Sequence, residues 1–125
     1  MIIKKLVAGS MFSMLLGSEM VAAAWGDMYY CQMTNLVDIS IKGEKKNYKL
    51  ERFQLKLDQT KNAMVFGNKG YFKYKVIELD SSVPSHEMWF ARDRFTNTNF
   101  TQGKFLHTSN GSTYATIISA DCEIF

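Results

Sequence analysis

From Trp25 onward, apolar and polar residues alternate with a period of two in many short stretches. The alternation is cleanest between residues 53 and 58, where Phe53, Leu55 and Leu57 are separated by polar side chains. No long segment carries apolar residues at the three- and four-residue spacing of an amphipathic helix. Because successive side chains of a strand point to opposite faces of a sheet, this pattern predicts an all-β fold.

Short turns separate the predicted strands. Gly70 is expected to take a positive φ, and Gln102-Gly103 is typical of a hairpin turn. Residues 80–86, with the single Pro84, are predicted to form the longest polar loop. The predicted strands cover residues 28–34, 37–42, 53–58, 63–66, 72–76, 88–93, 95–101, 104–108 and 113–124.

About eight short strands joined by brief turns indicate an antiparallel meander. All-β chains protect their sheet edges by closing into a barrel or by stacking two sheets. We therefore predict a small up-and-down β-barrel, with a β-sandwich as the alternative. All aromatic residues except Phe12 lie after residue 24, so the interior is expected to be packed with large side chains.

The two cysteines, Cys31 and Cys122, lie near the two ends of the predicted β domain. In an exported protein an even pair of cysteines is interpreted first as a disulfide. The Cα atoms of bonded cysteines lie close together, so the bond predicts that the first and last strands approach each other. It also favours the barrel over the sandwich.

The N-terminus has the three parts of a secretory signal peptide. Lys4 and Lys5 precede a short apolar run, and Ala22 and Ala24 provide the small residues of a cleavage site. The apolar run is about a dozen residues, too short for a stable membrane anchor, which takes roughly 20. We predict a signal peptide at residues 1–24, a single mature domain at 25–125, and a periplasmic or secreted location.

The composition, 46% hydrophobic and 22% charged, is that of an ordinary globular protein. The formal net charge of +3 becomes +2 when residues 1–24, with two lysines and one glutamate, are removed. A nearly neutral chain lacks the basic surface that binds nucleic acid, so no nucleic-acid partner is expected. The predicted assembly state is a monomer.

No motif in the sequence indicates catalysis or a cofactor. His86-Glu87 begins like the zincin signature, but Phe90 stands where the second histidine is required. The two cysteines are too few for a tetrahedral zinc site, and no serine lies in a recognisable nucleophile motif. We therefore predict a protein without a metal site, a cofactor or catalytic residues.

The candidate binding residues are Trp89, Arg92 and Arg94, together with His86 from the neighbouring loop. Tryptophan and arginine are enriched at the energetic centres of protein interfaces. The alternative interpretation places Trp89 in the core and both arginines on an ordinary surface. His107 lies in a predicted strand, where a hydrogen-bonded structural or surface histidine is expected.

Two stretches of sequence resemble known families. Residues 103–108 (GKFLHT) and 120–125 (ADCEIF) resemble the C-terminal half of small exported proteins of uncharacterised function from marine bacteria, which implies no activity. Residues 110–114 (NGSTY) resemble the Ser-Gly-x-x-Tyr inhibitory loop of the C-type lysozyme inhibitors, with Asn110 in place of the serine. This second resemblance implies a small exported β-barrel with a disulfide.

Together these features predict an exported, non-enzymatic binding module that recognises a protein or glycan partner. The alternative function is inhibition of a secreted hydrolase such as lysozyme. In that case Gly111 and Tyr114, which match the inhibitory loop, are the expected contact residues.

Overall fold

The computed structural model describes residues 24–124, so the predicted signal peptide, apart from Ala24, lies outside the described residues. Ten strands and a short 3-10 helix, Pro84–His86, lie within this range. The strands are β1 (Met28–Ser40), β2 (Lys45–Asn47), β3 (Arg52–Asp58), β4 (Ala63–Phe66), β5 (Val76–Glu78), β6 (Ser81–Val83), β7 (Met88–Arg92), β8 (Thr96–Thr101), β9 (Lys104–Asn110) and β10 (Tyr114–Ile124).

Nine of these strands form one curled antiparallel sheet, a half-barrel, in the order β5-β4-β3-β1-β10-β9-β8-β7-β6, and β2 pairs with β1 beside this path. The first and last strands therefore lie next to each other in the middle of the sheet. The two edge strands, β5 and β6, are consecutive in the chain and separated only by Leu79 and Asp80. The predicted antiparallel all-β fold is confirmed, with ten strands in place of about eight.

A disulfide joins the two central strands. Cys31 and Cys122 face each other in the β1–β10 register, with their Cα atoms 4.0 Å apart. The bond closes a sequence separation of 91 residues, which is nearly the whole described domain. The predicted link between the first and last strands is therefore present.

β1 changes partner and phase along its length. Its first half pairs with β3 and its second half with β2, and its pairing with β10 shifts between Met33 and Asn35. Such a bulge moves every later side chain to the opposite face. As a result Leu36 and Asp38 face the interior, opposite Ile118 and Thr116, while Ile39 lies exposed on the outside.

Two predicted segments have a different structure. The predicted strand at 72–76 is a turn until β5 begins at Val76, and Tyr74 in this turn has a positive φ and lies largely exposed. The predicted polar loop at 80–86 contains β6 and the 3-10 helix. In both places the local apolar and polar pattern was too short to separate a strand from a structured turn.

The core fills one end of the half-barrel. Fully buried aromatic side chains dominate it, and their rings meet edge to face or tilted, with centroids 4.8–6.0 Å apart for the pairs Tyr29–Phe100, Phe53–Phe105 and Phe53–Phe66. Leu55 and Leu57 lie fully buried on β3, the strand between β1 and β4. The predicted packed interior is correct for this end. Within residues 24–124, no helix is long and apolar enough to cross a membrane.

Candidate functional site

Three rows of interior side chains run across β1, β10, β9 and β8, and their polarity rises from row to row toward one end of the half-barrel. The first of these rows is apolar: Met33, Ala120, Phe105, Phe100 and Trp89. The second row mixes apolar and polar groups: Leu36, Ile118, His107, Thr98 and Ala91. The last row is polar throughout: Asp38, Thr116, Ser109 and Thr96.

Two residues of the polar row, Ser109 and Thr96, line a cleft of about 620 Å³. We call this the mouth cleft. Its size lies within the range of about 300 to 1,000 Å³ that is typical of small-ligand sites. It is lined by Tyr71, Lys75, Val76, Ile77, Glu78, Leu79, Asp80, Arg92, Asp93, Thr96, His107 and Ser109.

The loop between β4 and β5 carries one wall of the mouth cleft. Phe72 anchors this loop, because its ring is fully buried against Phe66 (4.7 Å between centroids) and Phe105 (5.4 Å). Gly70 has the predicted positive φ, and the backbone N–H of Tyr71 donates to Oε1 of Glu51 at 2.8 Å. These contacts hold the Tyr71 ring at the cleft.

His107 forms part of the inner wall. Its Nδ1 lies 2.7 Å from the Thr98 hydroxyl, and its ring meets Phe72 edge to face at 5.0 Å. Burial, followed by the Lys75 cation, lowers its pKa from the ordinary 6.5 to about 4, against the opposing effect of Asp93. The imidazole is therefore neutral at physiological pH.

Two carboxylates at the mouth are held in place by hydrogen bonds. Asp93 accepts from the backbone N–H groups of Phe95 and Thr96, both at 2.9 Å, and these bonds lower its pKa. Asp38 accepts from the hydroxyls of Thr116 at 2.7 Å and Tyr48 at 2.8 Å. Their positions are therefore fixed before any ligand arrives.

Tyr71 lies close to these groups. Partial burial raises the pKa of its hydroxyl, and the Asp38 carboxylate and Tyr114 raise it further. The phenol is therefore protonated at neutral pH and able to donate a hydrogen bond. The mouth thus combines aromatic rings, neutral donors and carboxylate acceptors within one concave surface.

A second cleft, of about 630 Å³, lies on the outer face of β7, β8 and β9. We call this the outer cleft. Arg92 and Asp80 line both clefts, so these two residues form the rim between them. The other lining residues are Ser81, Phe90, Ala91, Asn97, Thr98, Asn99, Leu106 and Thr108.

The structure separates the four residues predicted to form a binding site. Trp89 has no exposed surface and packs edge to face against Trp25, with ring centroids 4.8 Å apart. Its Nε1 has no hydrogen-bond partner among the described residues. The prediction of Trp89 as a contact residue is therefore wrong, because an inward position on β7 places it in the core.

The other three predicted site residues are exposed but do not form one cluster. Arg92 lies at the rim, where its Nε donates to Oδ1 of Asn97 at 3.2 Å. Arg94 lies in the following turn, with its guanidinium 5.4 Å from the centroid of the exposed Phe95 ring. His86 lies in the 3-10 helix at the opposite end of β7, so only the two arginines are neighbours.

The mouth cleft also holds a serine, a histidine and an aspartate. Ser109, His107 and Asp93 all line it, yet the hydrogen bond of His107 goes to Thr98. Within residues 24–124, no hydrogen bond joins His107 to Ser109 or Asp93, so the relay of a catalytic triad is not assembled. The described residues likewise hold no group of three His, Cys, Asp or Glu side chains able to bind a metal ion.

The chain was also compared with family models, curated proteins and solved structures. None of them matches it. The resemblances to marine bacterial exported proteins and to lysozyme inhibitors therefore stay predictions.

Sequence reasoning missed the mouth cleft because the responsible residues are common strand residues. Thr96, Thr98, His107 and Ser109 occupy inward positions of β8 and β9, in phase with the buried Phe100 and Phe105. One signal was present in the sequence. The inward-facing residues of β8 and β9 change from apolar to polar toward the end of each strand that lies at the mouth cleft.

The buried His107 predicts acid sensitivity. An unfolded histidine binds a proton near pH 6.5, whereas the folded protein resists this until about pH 4, so the unfolded state holds more protons between these values. Stability therefore falls as the pH is lowered through this window. We expect a loss on the order of 3 kcal/mol attributable to His107, measured by urea unfolding at a series of pH values.

The control for this prediction is the exposed histidine, His86. His107→Gln is expected to flatten the stability profile between pH 6.5 and 4, whereas His86→Gln, an exposed change that leaves His107 in place, is expected to retain the slope. A His107→Gln profile as steep as that of the parent protein contradicts the prediction.

Proposed function

We propose that the protein is an exported, non-enzymatic binding module that takes a glycan or protein partner at the mouth cleft. The polar inward row of Asp38, Thr116, Ser109 and Thr96 carries this proposal, and the last two of these residues line the cleft itself. Interior positions of a small barrel are normally apolar, and a polar row beside a concave cleft is the composition of a ligand site.

The hydrogen bonds at the mouth favour binding over catalysis. Thr98 holds Nδ1 of His107, and two backbone N–H groups hold Asp93. Groups fixed in this way are suited to recognising a ligand without reorganisation, which limits the entropy lost on binding. We therefore assign these residues to ligand positioning.

Arg92 is the proposed anchor of the ligand. It lines both clefts, and its Nε bond to Asn97 orients the rest of the planar guanidinium group. We expect Arg92→Ala to weaken ligand binding more than tenfold, about 1.4 kcal/mol, with the thermal midpoint nearly unchanged. Calorimetric titration of a panel of oligosaccharides and peptides into the folded protein measures this.

Arg94 provides a matched control, because it is also exposed and lies only two residues further along. Its guanidinium lies over Phe95 and it is not among the residues that line either cleft. Arg94→Ala is therefore expected to leave the affinity unchanged. A ligand whose affinity tolerates Arg92→Ala in folded protein rules out this site.

The proposed location is the periplasm or the exterior of the cell. The disulfide supports this, because such bonds persist in oxidising compartments. The signal-peptide pattern at the N-terminus supports the same location.

Expression with the native N-terminus in a secreting bacterial host is expected to give an exported chain that begins at Ala24 or Trp25. A cut before Ala24 preserves both contacts of this region: the Ala24 nitrogen donates to Oδ2 of Asp27 at 2.8 Å, and Trp25 packs on Trp89. Intact-mass analysis identifies the first residue. An exported chain that retains Met1 contradicts the predicted cleavage.

A second candidate function is inhibition of a secreted hydrolase such as lysozyme. The exposure of Tyr114, at 52%, in the turn that resembles the inhibitory loop favours it. The backbone N–H of Gly111 donates to the carbonyl of Tyr114 at 2.8 Å and shapes this turn. If this function holds, a stoichiometric amount of protein lowers the turnover of lysozyme, and Tyr114→Ala restores it.

A further inference from the structure

The mouth cleft and the outer cleft share one rim. Arg92 and Asp80 line both, and each cleft alone measures about 620 to 630 Å³. A ligand larger than either cleft can therefore extend from the mouth over this rim to the outer face of the sheet.

The outer cleft has the chemistry of a surface for hydroxyl-rich ligands. Asn97 and Asn99 supply amide donors and acceptors, Ser81 and Thr108 supply hydroxyls, and Phe90 supplies an aromatic ring. A sugar ring carries hydroxyls that both donate and accept, and its C–H face packs on aromatic or apolar side chains. The lining therefore matches both faces of a sugar.

The charges of the mouth cleft favour an uncharged ligand. Its cationic and anionic side chains are mixed, with the two signs almost balanced: Lys75, Arg92, Glu78, Asp80 and Asp93. A site for an ion of one sign concentrates the opposite charge. A mixed set instead offers strong charge-assisted donors and acceptors to hydroxyl groups.

The floor of the outer cleft disfavours a peptide that binds as an added strand. Peptides commonly add as a strand to an exposed sheet edge. The outer cleft lies on the face of β7, β8 and β9, and β8 has backbone partners on both sides. Recognition there must come from side chains.

We propose that the ligand is a neutral oligosaccharide chain, with one end in the mouth cleft and further sugar units across the rim in the outer cleft. This inference rests on the proposed function of the mouth cleft. The ligand class is then a neutral oligosaccharide of several sugar units, and the outer cleft is the second part of its binding site.

The test is a length series. Cello-oligosaccharides and chito-oligosaccharides of one to six units are titrated into the protein, and binding is followed by calorimetry and by the side-chain amide signals of Asn97 and Asn99 in NMR spectra. For at least one series, affinity is expected to rise at least tenfold from the disaccharide to the hexasaccharide. The amide signals are expected to shift only with the longer chains.

Two variants separate the clefts. Asn99→Ala is expected to reduce hexasaccharide affinity to that of the disaccharide while leaving disaccharide binding unchanged, because Asn99 lines only the outer cleft. Asn47→Ala, an exposed amide on β2 and away from both clefts, is the matched control and is expected to change neither affinity. Thermal melts of both variants establish that they are folded.

Each contrary result has a distinct meaning. Equal affinity for all chain lengths, with sensitivity to Arg92→Ala, overturns the two-cleft chain and leaves the mouth cleft as a binding site. Binding of a peptide from the panel, with no oligosaccharide bound, overturns the ligand class. Absence of any binding to the folded protein overturns the proposed function itself.

Discussion

Loss of the disulfide is expected to lower the free energy of unfolding by about 4 to 5 kcal/mol. Either Cys31→Ala or Cys122→Ser removes the bond, which closes a sequence separation of 91 residues. In the chain-entropy model a loop of this size gives one of the largest effects that a single bond has, because the reduced unfolded chain gains much conformational freedom. Urea unfolding of the oxidised parent protein and the variants measures the loss.

The double variant provides the control. Cys31→Ala with Cys122→Ser is expected to cost little more than either change alone, because the same bond is lost in every case. Thiol titration of the unfolded, unreduced parent protein is expected to find no reactive cysteine. Two reactive thiols there contradict the bond directly.

The second large effect concerns the core. Leu55→Ala is expected to lower the free energy of unfolding by about 2 to 5 kcal/mol, because Leu55 is fully buried between Tyr29 on β1 and Phe66 on β4. Its neighbour Lys56 lies on the outer face of the sheet, and Lys56→Ala is expected to change the free energy of unfolding by less than about 0.5 kcal/mol. Denaturant melts of the two variants compare the two faces of β3.

This pair of substitutions is matched, because the two residues share one strand and differ only in the face they occupy. If Lys56→Ala proves the more damaging, the register of β3 is wrong, since a shift by one residue exchanges the two faces. An equal and small effect of both changes places β3 outside the core.

The fold class was predictable where the alternation is regular. In β3 the inward residues of the sequence pattern are the buried residues of the structure. In β1 the alternation of apolar and polar residues does not identify the buried face after the bulge between Met33 and Asn35. The extra residue of a bulge leaves no local signal in the sequence. The face that carries Ile39 therefore lies outside, and Asp38 lies inside.

The candidate site was only partly predictable, for a related reason. Arg92 was identified from its residue type, and the structure places it at the rim of two clefts. Trp89 was predicted on the same grounds but lies in the core, because residue type alone does not specify whether a side chain points into the core or toward solvent. His107 acquires its environment from Phe72 and Lys75, which are more than 30 positions away in the chain, so no local pattern could identify it.

The strand order concentrates the entropic cost of folding in one step. Along the sheet every pairing joins strands that are consecutive in the chain or, for β1 and β3, separated only by β2, except the pairing of β1 with β10. Bringing those two strands together closes a loop of almost the whole domain, and non-local pairings of this kind slow folding. Once the disulfide between them has formed, the oxidised chain retains this closure when it unfolds. Refolding then needs only the shorter-range pairings, which extend outward on both sides of a covalent centre.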